Sequence, residues 1–154
     1  MIKTIALVAH DSRKKDLIEW VLLNRKALVS QKLVCTGTTG KLIAEALDRE
    51  KKEDDPDIDI TLLKSGPLGG DQQLGSMIAE RKIDMLIFLW DPMEAQPHDV
   101  DVKALWRITS LYNVPTAINR SSADFIISSP LFNADYQPKM RDFSNYLNRQ
   151  IGAV

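Results

Sequence analysis

The sequence is poor in cysteine and histidine and has no excess of either charge. The lone Cys35 excludes an internal disulfide and suits a reducing compartment. The two histidines, His10 and His98, come with no His-x-x-His or Glu-x-x-His spacing. A metal site from His10, His98, Asp71 and Asp101 is conceivable but is the weaker reading. Twenty Lys and Arg against 21 Asp and Glu leave a net charge of −1. With the basic residues scattered, there is no field for nucleic acid or an anionic membrane. No apolar run is long enough to span a bilayer, and no signal peptide is expected ahead of the first strand. Neither a Walker A sequence nor Gly-x-Gly-x-x-Gly spacing occurs, which disfavours nucleotide binding by those routes. These absences lead to the expectation of one soluble, cytoplasmic domain over residues 1–154.

What is present is concentrated. Five of the seven glycines fall in two short stretches, Thr36-Gly37-Thr38-Thr39-Gly40 and Ser65-Gly66-Pro67-Leu68-Gly69-Gly70-Asp71. Each follows a strand-like run and opens a helix-like one. Backbone N–H groups in such a turn, backed by a helix N-terminus, make a site for phosphate. The second stretch also brings a carboxylate, Asp71, towards the place an anion would occupy. That arrangement suits chemistry better than binding.

Residues 3–9 (KTIALVA) form an apolar run that suits a strand buried on both faces. Asp11 or Ser12 can cap the helix that follows, which carries Leu17, Ile18, Val21, Leu22 and Leu28. Strands are expected at 33–36, 58–63, 84–90 (DMLIFLW) and 115–119, and helices at 41–47, after 71, at 102–112, from 121 and near Phe143, Tyr146, Leu147 and Ile151. The charged stretch 49–57 (REKKEDDPD) reads as a solvated loop or frayed helix end. Strand and helix alternate five times, so the expected fold is a doubly wound, five-stranded parallel α/β sheet flanked by helices. Ligands in such sheets gather beyond the carboxyl ends of the strands. His10, Asp11, the TGTT and SGPLGGD loops, Asp91 and the loop carrying His98 all fall on that edge.

A histidine taken singly is more often structural than functional, but the shared location of His10 and His98 favours a site. Asp91 and Asp99 also suit turns or caps beside prolines. Asp71 and Asp101 suit helix caps, a role compatible with catalysis. Thr36, Thr38 and Thr39 with their backbone N–H groups form an uncharged phosphate cradle, to which Lys14 can add a positive charge. Ser12 and Cys35 lack a nucleophile-elbow context, and Cys35 reads as core.

These residues resemble the methylglyoxal synthase family from the first strand to about Phe132. The segments that carry the resemblance are IALVAHDSRK, TGTTG, SGPLGGDQQLG, IDMLIFLWDP, PHDVDVKAL, NVPTAIN and ADFIISSP. The pairing of GPLGGDQQ with PHDVDVKAL is the specific part. The resemblance implies a Rossmann-like fold and conversion of dihydroxyacetone phosphate to methylglyoxal and inorganic phosphate through an enediolate, a glycolytic bypass. It implies neither metal nor organic cofactor. By the same resemblance Asp71 is the base, His98 the group on the carbonyl and hydroxyl oxygens, and Asp101 an aid to proton movement. Asp11 and Asp91 would order the site. His10, Lys14, Thr36, Gly37, Thr38, Thr39, Ser65 and Gly66, with His98, would bind substrate and phosphate.

The family's C-terminal arginine, which reaches phosphate across a subunit boundary, aligns at Gln150 with Arg149 adjacent. The charged segment 47–57 is longer than usual for the family. A homohexamer inhibited cooperatively by phosphate is also implied, with Arg107 and the Asn113-Val114-Pro115 turn where intersubunit signals would pass. Two other readings stand beside the lyase. One is a non-catalytic phosphometabolite-binding module, like the regulatory domains of carbamoyl phosphate synthetase. The other is an isomerase that keeps the phosphate. The module has no need of Asp71, His98 and Asp101 together.

Overall fold

In the computed structural model, residues 2–149 are described. Five parallel strands form one sheet: β1 (Thr4–Ala9), β2 (Lys32–Thr36), β3 (Asp59–Leu63), β4 (Met85–Leu89) and β5 (Thr116–Ala117), in the order β3-β2-β1-β4-β5. The helices between them are α1 (Lys14–Leu23), α2 (Arg25–Leu28), α3 (Gly37–Arg49), α4 (Gly70–Ala79) and α5 (Asp99–Leu111). Three short ones follow β5: α6 (Arg120–Ser128), α7 (Pro130–Asn133) and α8 (Ser144–Leu147).

Successive side chains of a strand point to opposite faces, so the central strands feed two cores. Ile5, Leu7 and Ala9 of β1 and Met85, Ile87 and Leu89 of β4 face one way, onto Leu17, Trp20 and Val21 of α1, Ile43 and Leu47 of α3 and Ala123 of α6. Ala6, Val8, Leu86 and Phe88 face the other way, onto Leu74 and Ile78 of α4 and Val102 and Leu105 of α5. Each large aliphatic side chain removed from water contributes roughly 1.5–3 kcal/mol. Trp20 is buried and still satisfied, because its indole N–H donates to Asp124 Oδ1 at 2.8 Å.

The strand order determines where a ligand goes. The chain winds from β1 through β2 to β3 on one side, then returns to place β4 on the other side of β1. β1 and β4 run in register from Ile5↔Met85 to Ala9↔Leu89, so His10 and Trp90 leave the sheet side by side at the switch point.

Several element bounds differ from the sequence reading. α3 begins at Gly37, so the TGTTG stretch is the first turn of the helix and no loop precedes it. Gly37 allows this with φ +44°, and a Cβ there would lie 2.7 Å from the Cα of Ser65. α5 begins at Asp99, three residues before Val102. β5 holds only two residues because Asn119 already caps α6, accepting from the Ser122 N–H. Neither Asp11 nor Ser12 caps α1: the first pairs with Lys14, and the second donates to Asp91. Cys35 is fully buried and its thiol is pushed up to about 12 by desolvation, which makes it an inert core residue. The 49–57 stretch is mostly loop, tied to the body where Arg25 of α2 meets Asp55 at 2.7 Å. No described helix is long and apolar enough to cross a membrane. The expected last helix reaches only Leu147, and Gln150 and Ile151 lie outside the described residues.

Candidate active site

A cavity of about 240 Å³ opens at the carboxyl ends of β1, β2 and β3 and beside the loop before α5. β1 delivers His10, with Asp11 and Lys14 following. The first turn of α3 adds Gly37, Thr38 and Thr39, preceded by Thr36 at the end of β2. Ser65, Gly66 and Asp71 come from the loop and helix after β3, and His98 from the N-cap position of α5.

One wall is built for an anion. No side chain caps the N-terminus of α3; the Gly37 N–H donates to the Lys64 carbonyl at 3.1 Å, and the amides of Thr38 and Thr39 behind it, at the positive end of the helix dipole, are left to face a ligand. Lys14 Nζ donates to Thr38 Oγ1 at 2.9 Å and to Asp11 Oδ1 at 2.5 Å. The lysine charge is thereby held at the cradle, and the same bond keeps the Asp11 carboxyl below its usual range.

The opposite wall carries the proton-transfer groups. Asp71 is the second residue of α4; Gly69, with φ +99°, takes the N-cap position, so Asp71 is no cap. It is 4% exposed, and Oδ2 has no hydrogen-bond partner among the described residues. Burial pushes its pKa up, with nearby Asp101 adding to the rise and His98 opposing it. His98 Nε2 stands 3.7 Å from Asp71 Oδ2, too far for a hydrogen bond. Gly66 faces both: a Cβ there would lie 3.0 Å from Asp71 Oδ2 and 3.1 Å from His98 Nε2.

His10 is 6% exposed, with its ring edge-on to Phe88 at 5.2 Å and to His98 at 6.1 Å between centroids. Its Nδ1 accepts from the Asp91 backbone N–H at 3.2 Å, and its Nε2 has no partner among the described residues. Burial first, then the neighbouring His98, lowers its pKa. Buried, unpartnered polar atoms of His10, Asp71 and the half-buried His98, gathered at one cavity, mark a place for a polar ligand.

Three of the residues that the resemblance places at the site do not line this cavity. Asp101 lies in α5, past its N-cap, where Oδ1 accepts from Gln72 Nε2 at 2.7 Å; it influences Asp71 by charge. Asp91 is anchored by Ser12 Oγ–H on Oδ2 at 2.5 Å and by the Met93 N–H on Oδ1 at 2.8 Å, which hold its pKa down. Arg149 stacks on the Tyr146 ring, 3.9 Å from its centroid. Conversely, Pro67, Phe88 and Gln96 line the cavity without having been singled out. Phe88 reads as core in a strand pattern, and Gln96 had only its place two residues before His98 to mark it. Among the described residues no group of three or more His, Cys, Asp or Glu side chains is arranged to hold a metal ion.

An anion cradle on an uncapped helix, facing a desolvated carboxylate and two imidazoles, defines an enzyme of the phosphate-ester class on an open α/β sheet. Residues 16–118 match the family model described as an MGS-like domain. The chain is 54% identical to a methylglyoxal synthase of Maridesulfovibrio salexigens, covering 97% of this chain and 98% of that one. It is 49% identical to the Coxiella burnetii methylglyoxal synthase, covering 97% and 99%. The crystal structure of the Elizabethkingia anophelis methylglyoxal synthase superposes with a TM-score of 0.87 at 51% identity, covering 99% of this chain and 95% of that one. The chain belongs to the methylglyoxal synthase family.

Proposed function

We propose that this chain converts dihydroxyacetone phosphate to methylglyoxal and inorganic phosphate, as a carbon–oxygen lyase. The observation that carries this reading is one cavity with a phosphate cradle on one wall and a buried carboxylate facing an imidazole on the other. Asp71 takes a proton from the hydroxymethyl carbon, and the C–H electron pair becomes the double bond of an enediolate. Its raised pKa makes it a better base than an ordinary aspartate. Hydrogen bonds from His98 and His10 stabilise the oxygen on which charge develops. The enediolate then expels phosphate: the carbon–oxygen bond breaks, both electrons leave on the phosphate, and the resulting enol gains a proton on carbon to give the methyl group.

Thr38, Thr39, Ser65 and the α3 amides hold the phosphate, with Lys14 supplying positive charge. Asp11 keeps Lys14 in place, Asp91 orders the loop after β4, and Asp101 tunes Asp71. Residues 1–154 act as one domain in the cytoplasm, assembled as a homohexamer that phosphate inhibits. Arg149, which does not line the cavity of its own chain, reaches a neighbouring subunit's phosphate.

Chelator-treated protein incubated with dihydroxyacetone phosphate tests this reading. Equimolar methylglyoxal and phosphate are expected. Binding without release would identify a regulatory module instead, and glyceraldehyde phosphate as product an isomerase.

A further inference from the structure

The contacts around His10 go beyond substrate binding. In a neutral imidazole one ring nitrogen donates and the other accepts, and the partner of one nitrogen decides the state of the other. Here Nδ1 receives a backbone N–H, that of Asp91. A nitrogen that accepts carries no proton, so the ring proton belongs on Nε2. Asp91 is outside the cavity lining and His10 is part of it, so the accepting nitrogen is turned towards the β4 loop. Nε2 is the nitrogen left for a ligand, buried and unpartnered among the described residues. Burial and the proximity of His98 both lower the His10 pKa, which keeps the ring neutral and the tautomer meaningful.

The donor to Nδ1 is only as well placed as the loop that carries it. The Asp91 carboxylate ties that loop down through the Met93 N–H on Oδ1, a local turn, and the Ser12 hydroxyl on Oδ2, from 79 residues away in sequence, beside the Trp90 N–H on the Ile118 carbonyl. Ser12 follows His10 by two positions, so His10 and Asp91 are joined twice, once at the ring and once through Ser12.

We propose that Ser12 is a positioning residue that, through the Asp91 carboxylate, holds the Asp91 backbone N–H on Nδ1 of His10 and so fixes His10 as the Nε2–H tautomer, a hydrogen-bond donor to an oxygen of the substrate. The donor serves the reaction only if this cavity is the lyase site, so the kinetic part rests on the function proposed above. The tautomer itself does not.

The test is imidazole 15N NMR of histidine-labelled protein at neutral pH. The sequence has two histidines, so a His98→Gln spectrum assigns His10. The expected spectrum has an unprotonated Nδ1 and a protonated Nε2 for His10. Ser12→Ala, a change at an exposed position, should move both signals towards those of mixed tautomers. It should also lower kcat/KM roughly three- to tenfold, the scale of one lost hydrogen bond. Ser12→Thr, which keeps the hydroxyl, should restore both. A wild-type His10 protonated at Nδ1, or a Ser12→Ala spectrum identical to wild type, would overturn the proposal. A changed tautomer with unchanged kcat/KM would overturn its catalytic part. Wild-type protein that releases no methylglyoxal would defeat the lyase reading while the spectra still decide the tautomer.

Discussion

His98 Nε2 and Asp71 Oδ2 face each other across 3.7 Å with no hydrogen bond between them. A bonded pair would occupy each other, leaving a base already engaged and a donor already spent. The gap leaves both groups available to a substrate placed between them, and the absence of a side chain on Gly66 keeps that side open. Gly66 needs no unusual φ here, so a replacement adds a clash without backbone strain. Gly66→Ala would set a methyl group 3.0 Å from Asp71 Oδ2 and 3.1 Å from His98 Nε2. Misplacing reacting groups by about an ångström costs on the order of 10²-fold in rate. A fall in kcat of that order, with little change in Tm, is expected from steady-state kinetics and thermal melts. Undiminished kcat would mean that the spacing of the pair does not matter.

Asp71→Asn should abolish turnover and stabilise the fold. Burial raises the Asp71 pKa above 3.8, so the folded chain binds this proton more tightly than the unfolded chain. Stability from this group is present below the unfolded-state value and is lost as pH rises through the raised one. At neutral pH the ionised carboxylate therefore costs stability, and asparagine removes that cost. The variant's Tm should exceed wild type at neutral pH, and the advantage should shrink as pH falls towards the ordinary aspartate range. In the wild-type enzyme the acid limb of kcat/KM should fall at a higher pH than an ordinary carboxylate would give. A variant that melts lower at neutral pH would show that Asp71 serves the fold.

Lys14 tests the anion wall. Its ammonium group is shared between Asp11 and Thr38, two contacts that hold it at the α3 N-terminus. Lys14→Gln should raise KM for the substrate and weaken inhibition by phosphate together, because both ligands present the same dianion. Charge-assisted hydrogen bonds contribute roughly 1.5–3 kcal/mol, so about a tenfold to hundredfold change in each is expected. Thr38→Ala should move both constants in the same direction by less. A rise in KM with unchanged phosphate inhibition would separate the two sites.

The fold was legible because alternation of buried strands and amphipathic helices leaves few arrangements. Residues 84–90 read as a central strand, and β4 is buried at every position. Edges and ends read less well: β5 keeps two residues because the cap at Asn119 claims the chain. The site was legible as a set of loops converging on one edge. Which carboxylates line the cavity was not, since helix phase and loop hydrogen bonds decide it: Asp71 in α4 lines it, whereas Asp101 in α5 turns to Gln72 and Asp91, in the loop after β4, to Ser12. Ser12 drew attention only as a possible helix cap or nucleophile, because a bond across 79 residues leaves no local pattern.

Glycine-to-alanine substitutions at two positions should have opposite signs, and the pair separates backbone strain from helix propensity. Gly37 opens α3 at φ +44°, and an added Cβ would sit 2.7 Å from the Cα of Ser65 and 3.2 Å from its backbone N. Neither contact ends on a flexible side chain, so α3 and the Ser65 loop must separate for alanine to fit. Holding a non-glycine residue in this region costs about 1–3 kcal/mol before the clash is counted. Gly75 lies inside α4, where the nearest atom to an added Cβ is Leu105 Cδ2 at 3.9 Å, ordinary contact distance. Alanine there should gain up to about 1 kcal/mol through helix propensity. Denaturant melts should therefore show Gly37→Ala destabilised and Gly75→Ala neutral or stabilised. Kinetics should show a raised KM for Gly37→Ala alone, because only that change moves the α3 amides away from Ser65. An unaltered KM in Gly37→Ala would mean that the phosphate does not depend on the junction of these two loops.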